Sequence, residues 1–371
     1  MNHLALFKGD SVRKSYFVER QRAIQRGMDF IYRVACDPQD FEEYGSDLLS
    51  CFYFIASTSQ DANLRSLARK MGRERARQWR HDYPSLPPDA DADIILDYLY
   101  GSIAADLLRV PDRGLKQQIR TAMGRFTAQD YMYFDPITEP PPSDVPETCD
   151  CGFNNARGRT TCRKCKKQLT AMSRYEVWCY ALMITYNCDR YGVRAGAQYA
   201  DVIKWLPGMR PYRGSEKGTN IDFIDTVYAI THLVYTLNDY SVYNLSPRLL
   251  PQEFEFLKAN LKEAIAMEDP EMLGEFLDCL KSFGLRDSHK LIRTGMDYLL
   301  SQQNPDGSWG NVEAAEDIYL IYHSTWTAID GLRDYAWRGE GLSFPKLKPL
   351  LEQWAKTKSR TRASVAAFKA C

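Results

Sequence analysis

The chain is 371 residues long, which suits one large domain or two ordinary ones. Its 48 basic and 48 acidic side chains cancel, so no bulk field gathers nucleic acid or anionic membrane. No stretch approaches the ~20 apolar residues of a membrane span, and the first residues (MNHLALFKGDSVRKSYF) lack a secretory leader's apolar run and small-residue cleavage site. A cytoplasmic protein is therefore expected.

Apolar residues recur with helical period almost throughout, and no strand alternation stands out. The pattern predicts helices over 10–36, stopped by Asp37-Pro38, over 41–57, and over the basic stretch 61–81. After a loop at Pro84, Pro87 and Pro88 come helices from about 91 and over 113–130. The proline-rich run TEPPPSDVPET (138–148) is a linker into a cysteine cluster. Beyond the cluster, helices are expected near 173–189, 195–206, 222–240, 247–266, 270–283, 288–303, 315–337 and 346–356. Three regions follow: N-terminal helical hairpins (1–137), the linker with a four-cysteine knuckle (138–172), and C-terminal helical hairpins (173–371).

One stretch, Asp225 to Tyr240, returns about ninety residues later. With His232 placed over His323, Tyr228 falls on Tyr319, Tyr235 on Trp326, Thr236 on Thr327 and Asp239 on Asp330, while Asp225 falls on Glu316. At about 100° per residue these positions share one stripe of a helix, leaving Val227, Ile230, Val234 and Leu237 for the other side. Acids also recur at about 45–50 residue intervals, at Glu43, Asp93, Glu176, Asp225, Glu271 and Glu316, with one longer interval at the cysteine insert. One further helix lies between successive members. About six helical hairpins of this kind suit an all-α fold, an α/α toroid with a central cavity, against the alternative of an open helical solenoid. The 23 Tyr, 16 Phe and 7 Trp fit a ring-lined cavity as well as a large core.

Cys149, Cys151, Cys162 and Cys165, within CDCGFNNARGRTTCRKCKKQL, have the spacing of a small zinc ribbon, and four thiolates make a closed tetrahedral shell for structural Zn2+. Arg157, Arg159, Arg163, Lys164, Lys166 and Lys167 make the knuckle basic and suit it to a protein partner. Phe153 is its one aromatic ring, which disfavours nucleic acid. The other six cysteines (Cys36, Cys51, Cys179, Cys188, Cys279, Cys371) fall mostly in helical patterns, as packing thiols in a reducing compartment.

The segments MDYLLSQQNPDGSWG (Met296–Gly310) and YHSTWTAIDGL (Tyr322–Leu332) resemble the repeat of prenyltransferases and squalene cyclases, in which a helix ends in Q-x-x-DGSWG. Gln303, Asp306, Gly307, Ser308, Trp309 and Gly310 carry that resemblance over about forty residues, and it implies the toroidal fold more than an activity. His323 fits the zinc-binding histidine of protein prenyltransferases, but the family's Asp-x-Cys is absent; Asp278-Cys279 is adjacent instead. The cyclase acid D-x-D-D is not reproduced by Asp89, Asp91 and Asp93, which are spaced as a helix N-terminus would want them.

His232 and His323 are two of only five histidines and occupy equivalent helix positions, whereas the same stripe elsewhere reads Glu176, Cys179, Met183, Tyr186, Asn187, Arg190, and Glu271, Gly274, Asp278, Lys281. Packing of the repeat therefore does not demand histidine. If both face one cavity, they could share a divalent metal (Fe, Zn or Cu) completed by Asp225, Asp239, Glu316, Asp317 or Asp330. Without metal they could run acid–base chemistry, with Tyr228 and Tyr319 as donors. The expectation is an enzyme acting on an apolar or aromatic small molecule, as in natural-product biosynthesis. A terpenoid-type cyclase or prenyl-group transferase is the alternative within the fold family, and a non-catalytic scaffold whose knuckle docks a partner is the alternative outside it.

Overall fold

The computed structural model describes residues 3–315 and 317–356, with side chains from residue 16 onward; Glu316 and Cys371 lie outside the described residues. The chain is all-α. In order come α1 (His3–Cys36), α2 (Pro38–Thr58), α3 (Ala62–Asp82), α4 (Ala92–Leu107), α5 (Arg113–Met123), α6 (Ala128–Met132) and α7 (Arg174–Tyr191). They are followed by α8 (Tyr199–Ile203), α9 (Leu206–Met209), α10 (Phe223–Asn238), α11 (Pro251–Ala266), α12 (Pro270–Ser282), α13 (Lys290–Ser301) and α14 (Ile318–Leu332). Among the described residues there is no strand, only isolated bridges, and no helix long and apolar enough to cross a membrane.

Local chemistry starts most of these helices. Asp37, Asp61, Asp91, Asp112, Ser173, Asp269 and Asp317 each accept backbone N–H groups of their first turn, and Pro38 and Pro270 open α2 and α12 with a pre-set φ. Several expected helices are shorter than their periodicity; that over 195–206 holds only α8 (Tyr199–Ile203) before α9 begins at Leu206. The pattern over 113–130 breaks at Gly124, and a capping box of Thr127 and Asp130 starts the separate α6. The pattern over 315–337 stops at Leu332, because the next residues pair with the end of α2: Gln60 N–H donates to Asp334 O and Ala336 N–H to Thr58 O.

Helix neighbours trace a circuit. α2 packs on α4, α4 meets α7, α7 packs on α10, α10 on α12, α12 on α14, and α14 touches α2 again. The intervening helices α1, α3, α11 and α13 pack on members of this set, and α1 lies against α14. The α12–α14 approach is close because Gly274 has no side chain; a Cβ there would sit 2.2 Å from Thr327 O.

The Q-x-x-DGSWG segment fastens the connection between α13 and α14 to α1. Gln303 Nε2 donates to Ala23 O on α1 (2.8 Å), and Arg26 donates to the carbonyls of Asn304 and Pro305. Trp309 is fully buried, its indole N–H bonded to Leu299 O (2.7 Å) and its backbone N–H to Thr325 Oγ1 (2.9 Å). Gly307, at φ 98°, lies where a Cβ would meet Arg26 O at 2.6 Å, which explains the glycine in that turn.

Candidate functional site

A cavity of about 1000 Å³ is lined from α2, α4, α7, α10, α12 and α14. Both histidine columns reach it: Asp225, Tyr228, His232 and Asp239 from the first, and Tyr319, His323 and Trp326 from the second. The degenerate copy on α7 contributes Glu176, Cys179, Met183, Tyr186, Asn187 and Arg190. Of the six periodic acids, Asp93, Glu176, Asp225 and Glu271 line the cavity; Glu43 gives way to Asp47 one turn on. Asp91 instead caps α4 by accepting from Ile94 N–H, so the DADAD run contributes Asp93 alone to the wall.

The two histidines are held in opposite states. His232 Nδ1 lies 2.9 Å from Tyr228 O, and a carbonyl only accepts, so Nδ1 carries the proton and Nε2 keeps the lone pair. Burial, with the nearby His323 adding to it, lowers the His232 pKa to about 4; the Tyr228 carbonyl and Glu271 oppose this. His323 Nδ1 lies 3.1 Å from Glu271 Oε1, off the axis of a hydrogen bond, so charge holds this pair. Burial disfavours the His323 cation too, yet Glu271, Asp47 and Glu275 outweigh it and raise its pKa to about 9. At neutral pH the cavity wall therefore carries one neutral imidazole and one imidazolium.

Acids from two neighbouring helices set that difference. Glu271 on α12 also accepts from Tyr228 OH (2.8 Å), which ties it to the first column, and despite burial its pKa is lowered by His323. Glu275, one turn on, accepts from Thr231 Oγ1 (2.6 Å) and is raised to about 8 by burial and by Glu271 and Asp269. Asp47 on α2 accepts from Tyr322 OH (3.0 Å), and burial raises it. Glu176 is raised to about 7 by burial, by Asp225 and by Glu147. Sequence reasoning did not single out Glu275 or Asp47, and gave Glu271 no role at the site although it is a member of the acid period. That period was the signal for Glu271; nothing comparable marks Glu275 or Asp47.

Three other acids named from the sequence already have partners. Asp239 closes α10 in the left-handed conformation (φ 60°) and is held by Tyr186 OH (2.6 Å) and Arg190 (3.0 Å). Asp330 pairs with Arg333 (2.6 Å) behind the wall, and Asp317 caps α14, accepting from Tyr319 N–H (2.8 Å) and Tyr44 OH (2.6 Å). Among the described residues, the only group of three or more His, Cys, Asp or Glu ligand atoms all within 4.8 Å of one another is Cys149, Cys151, Cys162 and Cys165. Those atoms can hold a metal ion; Cys149 and Cys165 sulfurs lie 3.4 Å apart and Cys151 and Cys162 3.7 Å. The knuckle stands on a short ladder, Glu147 N–H to Thr170 O and Met172 N–H to Val145 O, and Thr148 and Met172 at its foot line the cavity. Part of its basic charge is internally paired, Arg157 with Glu139 and Asp144, and Lys167 with Asp150.

Comparisons with protein-family models, with curated proteins and with solved structures find no match for this chain.

Proposed function

We propose that the protein is an enzyme running acid–base chemistry on a small molecule with an aromatic or apolar body, held in the cavity between the two histidine columns. The observation that carries this is the pair itself: two imidazoles on one cavity, His232 lowered to about 4 and His323 raised to about 9. Titratable groups driven apart by their surroundings are how an active site assigns a base and an acid. His232 Nε2 is the base, oriented by its Nδ1–H bond to Tyr228 O. The His323 imidazolium is the acid, kept charged by Glu271, which Tyr228 OH steadies. Phe54, Tyr240 and Trp326, with Phe54 stacked on Tyr240 at 4.3 Å, supply apolar wall for the substrate body.

Two structural inferences accompany this reading. The circuit of helix contacts supports an α/α toroid of about six hairpins, with the Q-x-x-DGSWG turn closing the seam between first and last. The four-cysteine group supports structural zinc, since four sulfur ligands without an open position suit that ion. A shared metal at His232 and His323 is the weaker reading for the cavity. It needs both rings unprotonated, while Glu271 and Asp47 favour the His323 cation, and no third ligand atom gathers with them among the described residues.

The test is an NMR titration of imidazole signals, assigned with His232→Gln and His323→Gln, alongside elemental analysis of the wild type and a His232→Ala/His323→Ala variant. Acid–base chemistry expects one histidine charging below pH 5, one losing its proton above pH 8 (the two values on either side of about 6.5), and equal zinc in both proteins. Two histidines titrating together near neutrality sinks it; a second metal lost only in the double variant replaces it with a metalloenzyme.

A further inference from the structure

Beside the first cavity lies a second, of about 610 Å³, sharing Tyr53, Ser57, Asp106 and Leu107 with it. Its lining is opposite in character. Four arginines, Arg69, Arg73, Arg109 and Arg338, converge on it, and the one acid in its wall, Asp106, is already bonded by Arg80 (2.8 Å) and Tyr191 OH (3.0 Å). We propose that this pocket is a binding site for a phosphate-class oxyanion, free or carried on a small molecule whose remainder passes Tyr53 and Ser57 into the larger cavity.

The arginines come from three separate parts of the chain. Arg69 and Arg73 are one turn apart on α3 and share a face. Arg109 follows α4 with φ 69°, a left-handed conformation that costs a non-glycine residue free energy and here sets the backbone at the pocket wall. Arg338 comes from beyond α14 and is fixed by its backbone N–H to Val242 O (2.9 Å). None of the four makes a salt bridge with a carboxylate among the described residues.

A purely structural role accounts for only part of this. Arg69 donates to Ala56 O (3.3 Å) and Arg73 to Leu108 O (3.1 Å), caring for carbonyls at the ends of α2 and α4. Each spends one N–H on that bond, and a guanidinium has five. The two helix C-termini add partial negative charge of about half a unit each, well short of four cations. Arg109 and Arg338 are exposed and, among the described residues, have no side-chain hydrogen bond that explains their place. Convergent guanidinium groups whose one wall acid is already bonded to Arg80 and Tyr191 fit an oxyanion, which accepts several N–H bonds at once.

The pocket is independent of the histidine chemistry, and so is its test. Calorimetric titrations of the full-length protein use sodium phosphate, phenyl phosphate and, as the neutral control, phenol. The pair Arg109→Gly/Arg338→Ala removes two guanidinium groups while keeping φ at 109 accessible, and circular dichroism checks that it folds. Wild type should bind both phosphates and not phenol through this pocket, and the pair should weaken phosphate binding about tenfold or more. Arg163→Ala on the knuckle should leave it unchanged. Phenyl phosphate binding more tightly than inorganic phosphate identifies an organic phosphate reaching the larger cavity; equal affinities identify the free oxyanion. Absence of binding by either phosphate, or affinities untouched in the arginine pair, overturns the site.

Discussion

Helices α10 and α14 carry the same column of side chains and give it opposite chemistry. In α10 the ring of His232 turns back to its own helix, to the carbonyl one turn before, and burial keeps it neutral. In α14 His323 has no such carbonyl bond and looks instead to Glu271 on the neighbouring helix. The repeat thus supplies position, and the neighbour decides protonation. Why Glu271 reaches His323 is itself a packing matter, because Gly274 lets α12 and α14 approach until backbone nearly meets side-chain space.

The largest effect should fall on the back of α14. Trp309 is fully buried against Gly27 and is bonded to Thr325 and Leu299, so it joins α1, α13 and α14 at one point. Trp309→Ala should cost about 3–5 kcal/mol in urea unfolding. A loss below about 1 kcal/mol would mean that the seam does not depend on this turn. Next comes Glu271→Gln, which removes the principal charge opposing burial. His323 should fall from about 9 to below its ordinary value of 6.5, about 3 kcal/mol of changed proton affinity, while His232 stays low. A His323 that still titrates above neutrality in this variant would assign the raised value to Asp47 and Glu275 instead.

Stability against pH should separate the two helices by sign. His323 has a raised folded pKa, so its contribution is complete below 6.5 and is lost as pH climbs through about 9. His232 has a lowered one, so the folded state loses stability as pH falls from 6.5 through about 4, where the unfolded chain takes the proton first. Glu275, Glu176 and Asp278 also titrate abnormally in the middle range, so the measurement is a difference between each histidine-to-glutamine variant and wild type. His323→Gln should flatten the alkaline limb and His232→Gln the acid limb, each by up to about 3 kcal/mol. Both variants flattening the same limb would break the contrast.

The helices were legible because apolar period and aspartate caps coincide, as at Asp37-Pro38 and Asp269-Pro270. That His232 and His323 line one cavity agrees with their equivalent places in the repeat. The charge difference was not legible: it rests on Asp47, Glu271 and Glu275 on other helices, of which only Glu271 follows a period, and that period does not say which histidine it reaches. Asp317 and Asp330 show the converse. Each is close in sequence to the column, yet a cap and an arginine claim them first. Arg109 was invisible for another reason, since neither its left-handed backbone nor its meeting with Arg338 follows from a period.

Gly274→Ala is the smallest of these changes and the most direct on the cause of the contrast. A methyl group there would stand 2.2 Å from Thr327 O and 2.4 Å from Thr327 C, backbone atoms that no rotamer change can move. The helices must separate by part of an ångström or more, at a cost of about 1–3 kcal/mol. That separation lengthens the Glu271–His323 distance from 3.1 Å, and Coulomb attraction weakens with it. The His323 pKa should therefore drop, by less than in Glu271→Gln, with the His232 value nearly unchanged because its carbonyl bond lies within α10. A destabilised Gly274→Ala protein whose His323 titrates as in wild type would show that Glu271 follows His323 by side-chain adjustment, and that helix spacing does not set the charge.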